Sequence, residues 1–133
     1  MNVNVIQNQN DNTPPPPDYE NILVNNLDQL SPNICVDVVF NNTLNYLTTQ
    51  QLTELLNKIR HGGTISIASS DVVELTKAFY FDRIDIAQFS ALISNQQTQH
   101  SLIELKTFFE KNQYNIENAS INDLSFYLKV KRP

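Results

Sequence analysis

The sequence predicts an α/β domain, a largely parallel sheet with helices between its strands, ending in an antiparallel hairpin. Three observations predict it. Residues 36–40 form a β-branched and aromatic run, as expected of a strand buried on both faces. Residues 48–59 place Leu52, Leu55, Leu56 and Ile59 on one helical stripe, and a second β-branched stretch follows at 64–68. Leu124, Phe126, Leu128 and Val130 alternate with Ser125, Tyr127, Lys129 and Lys131, the period of a strand with one buried and one wet face.

The composition bounds what such a domain does. The chain has 133 residues, room for one core, with 41% hydrophobic and only 17% charged residues. Amides are frequent: five stand between Asn2 and Gln9. They solvate a surface without charging it, and a sparsely charged surface suits burial in an assembly. A net charge of -5 argues against nucleic-acid binding, which needs a basic face to replace counterions. The one basic cluster, Lys129, Lys131 and Arg132, reads as a solvated strand end. Cys35 is alone, so no disulfide framework or thiolate cluster is expected, and it reads as a small buried hydrophobe. No apolar stretch approaches the length of a membrane helix, and the N-terminus lacks the pattern of a secretion signal. These readings place the chain in the cytoplasm, or in a particle assembled there such as a virion.

Each element has its own signal. Val3 and Val5 share one face of a short strand candidate at 1–7. Residues 8–18 are polar and include Pro14, Pro15, Pro16 and Pro17, which remove donors and favour an extended conformation. Residues 1–20 therefore read as an extended arm, with the four prolines and Tyr19 as its partner-binding part, and 21–133 as the domain. A ligand for a proline-reading partner is the functional alternative to a stiff spacer. After the short apolar run 22–24 and a turn at Ser31, Pro32 and Asn33, the strand at 36–40 ends at Asn41 and Asn42. Thr48 and Gln51 form a capping-box pattern, and Gly62 and Gly63 are expected to stop that helix, Gly62 in the left-handed C-terminal cap. Asp71 and Glu74 are placed to cap a second helix reciprocally, with Val72, Leu75 and Phe79 as its buried side. Asp85 opens a shorter helix carrying Ile86, Phe89, Leu92 and Ile93, and 94–100 is a loop. Ser101 and Glu104 form a further capping box before Leu102, Leu105, Phe108 and Phe109. Strands at 116–121 and 124–130 are joined by Asn122 and Asp123, which tolerate the positive φ of a tight hairpin.

This order, with the residues at its joints, resembles the later half of class I S-adenosylmethionine-dependent methyltransferases, the predicted-methyltransferase group in particular. There a strand, a helix, a Gly-Gly turn often written L-K-P-G-G and the next strand succeed one another. Here residues 59–63 occupy the turn, 64–68 the strand, and 41–47 the stretch before the helix that often reads S-H-V-L-E-H-L in the family. His100 through Tyr114 resembles the family's later helix, with Asn112, Gln113 and Tyr114 at its glycine-aromatic close, and the hairpin resembles its last two strands. The resemblance covers about residues 21–133 and implies a partial Rossmann-like methyltransferase sheet with a C-terminal antiparallel hairpin. The family's glycine-rich cofactor loop has no counterpart, because the chain's two glycines, Gly62 and Gly63, belong to the later turn. Before residue 36 the sequence leaves no room for a strand, helix and second strand. Pro17, Asp18 and Tyr19 only superficially resemble the Asn-Pro-Pro-Tyr signature, since they lie in the arm.

Chemistry is thinly represented. His61 and His100 lie far apart without short-range metal spacing, and no phosphate loop, nucleophile elbow or Cys/His pairing appears. A remnant pocket is expected at the C-terminal ends of the strands, around Asn41, Asn42, Ser69, Ser70 and Asp71. The sequence thus leads to a non-catalytic, degenerate module with no catalytic residue, no metal, no cofactor, no small-molecule substrate and no membrane contact. Its expected role is structural, in a homo-oligomer or larger assembly such as a virus or phage particle. The alternative is an S-adenosylmethionine-dependent methyltransferase, active alone or completed by a partner chain.

Overall fold

The computed structural model describes residues 1–7, 14–94 and 96–133. Its strands are β1 (Asn2–Ile6), β2 (Glu20–Leu23), β3 (Cys35–Asn41), β4 (Ile59–Ser70), β5 (Asn115–Asn122) and β6 (Ser125–Lys131). They form one sheet in the order β2-β1-β3-β4-β6-β5. β2, β1, β3 and β4 run parallel, while β6 is antiparallel to both β4 and β5. The helices are α1 (Thr49–Leu56), α2 (Val72–Tyr80), α3 (Ile86–Ile93) and α4 (Leu102–Lys111).

The arm expected at residues 1–20 is corrected. β1 is an interior strand, paired to β2 through Val3–Glu20 and to β3 through Val3–Val38. Val3 and Val5 are fully buried beside Val38 and Phe40. The first and second strands thought to lack room are therefore both present. Parallel pairing is non-local, so five residues with two valines gave no sequence signal of where they sit. Residues 8–13 of the expected arm, and Asn95 of the expected loop, lie outside the described residues.

One face of the sheet carries the core. Val3, Val5, Val38, Phe40, Ile65, Ile67, Phe126, Leu128 and Val130 pack with Leu52, Leu55 and Leu56 of α1, Leu105 and Phe109 of α4, and Val24 and Leu27 of the 3-10 turn Val24–Gln29. The opposite face is polar. Strand register sets Asn21, Asn4, Val39, Ser66, Lys129 and Asn118 in one row, and Asn41, Ala68, Tyr127 and Ser120 in the next. Most of these side chains are half-buried or exposed. β3 is thus buried on one face, not both as expected. Amides and hydroxyls stand where a second helix layer would require apolar residues.

The Gly-Gly reading also changes. α1 stops at Leu56, its Thr48–Gln51 capping box intact, and Asn57 closes it. Ile59 belongs to β4 and pairs with Cys35. The register then moves to Asp37–Thr64, so residues 60–63 face Val36 alone. Gly62 takes φ +80 inside this bulge, not in a helix cap. A Cβ on Gly63 would lie 2.8 Å from Ile59 Cγ2 and 2.9 Å from the Arg60 carbonyl oxygen, so a side chain is excluded there. Gly62 N–H donates to the Arg132 carbonyl and Arg132 N–H to that of Gly63, tying the bulge to the end of β6.

At the other end of β4, Asp71 joins two helices. Its Oδ1 accepts from the backbone N–H of Val73 (2.9 Å) and Glu74 (3.1 Å), and its Oδ2 from Leu102 N–H (2.9 Å). One carboxylate, 2% exposed, therefore caps α2 and the first turn of α4 together. Glu74 does not return the cap as expected; it pairs with Lys77 at 3.5 Å. Likewise Ser101 accepts from Glu104 N–H without a reciprocal bond. Leu75 and Ala78 form the buried side of α2, whereas Phe79, expected there, is 39% exposed and stacks on Phe89.

His100 lies against this joint. Thr98 Oγ1 donates its one hydrogen to the Leu47 carbonyl (3.0 Å), so the 2.8 Å contact with His100 Nε2 is a bond that the imidazole donates. Nδ1 is then a bare acceptor, without a hydrogen-bond partner among the described residues and 3.6 Å from Glu104 Oε1. Burial holds the imidazole below the usual histidine range, against the opposing pull of Glu104.

Two outcomes are expected. Asp71→Ala should cost at least about 2 kcal/mol by orphaning three buried or part-buried N–H groups, and lower Tm by roughly 6–10 °C in calorimetry. Asp71→Asn should not restore it fully, because its NH2 would face Leu102 N–H. For His100, the unfolded chain binds a proton near pH 6.5 while the folded chain resists until lower pH. Its share of stability is therefore complete above about pH 6.5 and lost as pH falls below it. Urea unfolding at about pH 8 and about pH 5 should show this slope, and His100→Gln should flatten it.

Candidate functional site

A strand order that runs from β1 to β2 on one side and from β1 to β3 on the other reverses between β1 and β3. At such a point the loops leave the sheet in opposite directions and a crevice opens beyond the carboxyl ends. Here the crevice measures about 370 Å³. Asn4, Val5 and Ile6 of β1, Val39, Phe40 and Asn41 of β3, Ser66 and Ala68 of β4, and Tyr127 of β6 line it, with Thr43 at its end and Pro14, Pro15 and Pro16 across it. It therefore lies between the polar face of the sheet and a proline strap.

The strap is tied down. Tyr19 N–H donates to the Pro16 carbonyl (3.1 Å), turning the chain through Asp18 at φ 66. Tyr19 Oη then donates to Asp37 Oδ2, while Thr64 Oγ1 donates to Asp37 Oδ1 at 2.7 Å. The hydrogen bond to Asp37 pushes the Tyr19 phenol up to about 12, because ionisation would set two anions side by side. The residues expected as a partner-binding arm take these places in the chain's own fold. Pro14, Pro15 and Pro16 wall a crevice of their own chain, and Tyr19 is committed to Asp37. Pro17 is exposed.

Of the expected pocket residues, Asn41 alone lines the crevice. Asn42, at φ 58, donates its N–H to the Ala68 carbonyl and its amide to Asn41 Oδ1. Ser69 is buried, its hydroxyl 3.4 Å from Asn45 Oδ1 on the core side. Ser70 neighbours that hydroxyl through its carbonyl, and Asp71 is consumed in helix capping. Strand parity separates them: Ser69 faces opposite to Ala68, and Asp71 has already left the sheet.

Sequence reasoning missed Thr43, Asn4, Ser66 and Tyr127. Thr43 is buried, and its Oγ1 has no hydrogen-bond partner among the described residues. An orphaned hydroxyl beside a crevice is a group whose missing bond a ligand can make. Asn4 spends one N–H on Asn21 Oδ1 at 2.9 Å. Among the described residues the lining contains no histidine, lysine or carboxylate. It can bind, orient and exclude water, and Tyr127 brings its one titratable hydroxyl.

No family model and no curated protein matches the sequence. Solved structures do match. An S-adenosylmethionine-dependent methyltransferase from Archaeoglobus fulgidus aligns at TM-score 0.61 and 14% identity, over 98% of this chain and 75% of its own. A Haloferax volcanii structure of a methyltransferase with the activator Trm112 aligns at 0.63 and 14%, over 90% and 64%. An S-adenosylmethionine-dependent methyltransferase from Thermotoga maritima aligns at 0.59 and 11%, over 86% and 63%. The fold is thus the Rossmann-like methyltransferase fold, in a chain shorter than these neighbours. The expectation that the chain is not an enzyme is overturned. These neighbours are methyltransferases, and the likeness covers up to 98% of the chain, including the β1 and β2 region taken to be missing.

The strap anchor gives a direct test. Below pH 10 the Tyr19 bond contributes fully, and its contribution is lost as pH rises through about 12. In a spectrophotometric titration two phenols, Tyr19 and Tyr114, should ionise near 12. Tyr19→Phe should remove one of them and make residues 14–18 more susceptible to proteolysis.

Proposed function

We propose that the chain is an S-adenosylmethionine-dependent methyltransferase module that takes the cofactor in the crevice between β1 and β3. The observation that carries this reading is position. The crevice lies where open α/β sheets receive ligands, in a fold shared with methyltransferases. Its volume of about 370 Å³ falls within the range of small-molecule sites.

The residues fit the cofactor in part. Ile6, Val39 and Ala68 offer apolar contact for a purine ring, and Asn41 and Thr43 offer an amide and an unpartnered hydroxyl for polar edges. Among the described residues no carboxylate lines the crevice, so of these the ribose hydroxyls would fall to Asn41 and Thr43. The glycine cradle usual in the family is not supplied by Gly62 and Gly63, which lie in the bulge at the opposite end of β4. Pro14–Pro16 stand over the site and exclude water in its place. S-adenosylmethionine, when bound, supplies an electrophilic methyl group on a sulfonium. Among the described lining residues only the Tyr127 hydroxyl can exchange a proton, so the reading favours an acceptor that needs no strong base in the crevice.

A site completed by a second protein is the other reading. The Haloferax volcanii neighbour favours it, since that structure is a complex with a methyltransferase activator.

Calorimetric titration of the full chain with S-adenosylmethionine should show micromolar binding. Thr43→Val should weaken it by about tenfold while leaving Tm unchanged or higher, because the hydroxyl has no partner to lose in the free protein. No heat of binding, alone or with a candidate activator, would end this reading.

A further inference from the structure

Among the described residues, six of the ten exposed large apolar side chains belong to the α2–α3 hairpin: Val73, Phe79, Tyr80, Phe81, Ile86 and Leu92. Tyr80 is 78% exposed and Phe81 68%. α3 reads IAQFSALI, six apolar residues in eight, yet none of them is buried. A helix of that composition on a lone molecule leaves bare what an interface would cover.

Charge indicates the cover. α3 carries no charged residue. Lys77 is matched by Glu74 at 3.5 Å and Arg83 by Asp123 at 2.6 Å. Asp71 is buried in its caps, which leaves Asp82 and Asp85, both in the turn between the helices. Along its length the hairpin therefore offers a partner shape and apolar surface but no charge to read. An identical hairpin meets no like charge, provided the two run antiparallel. That arrangement sets the Asp82 and Asp85 pairs at opposite ends and opposes the helix dipoles. The Asp71 staple and the Arg83–Asp123 pair hold the hairpin on the body, so the surface is formed before any partner arrives.

We infer that the α2–α3 hairpin is a homodimer surface. Two copies of this chain pack isologously and antiparallel, with Tyr80, Phe81 and Ile86 of one beside Val73 and Leu92 of the other. The inference is independent of the crevice and its ligand. A net charge of -5 on each copy opposes their approach, so salt should strengthen the dimer by screening it.

Sedimentation equilibrium of the full chain across the micromolar range tests this. A reversible species of twice 15.2 kDa is expected, favoured by added salt. Phe81→Lys and Ile86→Glu should each raise the dissociation constant by about 100-fold or more, with circular dichroism unchanged because both side chains are exposed. Ile86→Glu mixed with Leu92→Lys should recover a heterodimer that neither forms alone. A chain that stays monomeric throughout, or a dimer indifferent to both substitutions, overturns the proposal.

Discussion

Burial of a six-stranded sheet on one face only is the constraint from which the rest follows. In a doubly wound sheet both faces meet helices, and every strand residue in the middle is apolar. Here α1, α4 and the Val24–Gln29 turn supply one apolar layer, and the other face must meet water. Asn21, Asn41, Ser66, Asn118 and Lys129 do that work, with the buried Asn4 satisfied by Asn21. Four of the chain's amides, Asn4, Asn21, Asn41 and Asn118, stand on this face. Uncharged polar side chains satisfy a wet β surface without piling like charges on adjacent strands.

The same constraint shapes the crevice. With no second helix layer among the described residues, the reversal of strand order between β1 and β3 opens onto the polar face. The proline strap then provides the wall opposite the sheet. Its position depends on Asp37, which holds Tyr19 with one oxygen and Thr64 with the other. A half-buried carboxylate on an otherwise apolar strand is thereby explained by what crosses above it. At the far side, Asp71 performs the equivalent task for the helices, seating α2 and α4 at the end of β4.

Some of the site was within reach of the sequence. Asn41 was named because it ends a strand of a parallel sheet, and the structure places it on the crevice lining. Asn42, Ser69, Ser70 and Asp71 were added by proximity in sequence, which ignores that Ser69 faces the core and that Asn42 and Asp71 lie past their strand ends. Thr43 lies one residue beyond the chosen pair and could have been included as the first hydroxyl after the strand. Asn4, Ser66 and Tyr127 could not, since they come from three strands whose adjacency is set by pairing across the chain.

By itself the sequence determined the local elements: the Thr48 and Asp85 caps, the α1 stripe, the β6 alternation and the existence of the β5–β6 hairpin, whose turn is at Asp123 and Leu124, one residue later than expected because Asn122 pairs with Ser125. These depend on neighbours within a few residues, and short-range sterics and hydrogen bonding decide them. Tertiary structure alone decided that residues 2–6 are an interior strand, and that Gly62 and Gly63 form a bulge rather than a helix stop. It also decided that Asp71 caps two helices and that the prolines roof a crevice. Each of those outcomes joins residues far apart in the chain. Only the free energy of the assembled sheet, with one face dry and the other wet, selects between the arrangements that local preference permits.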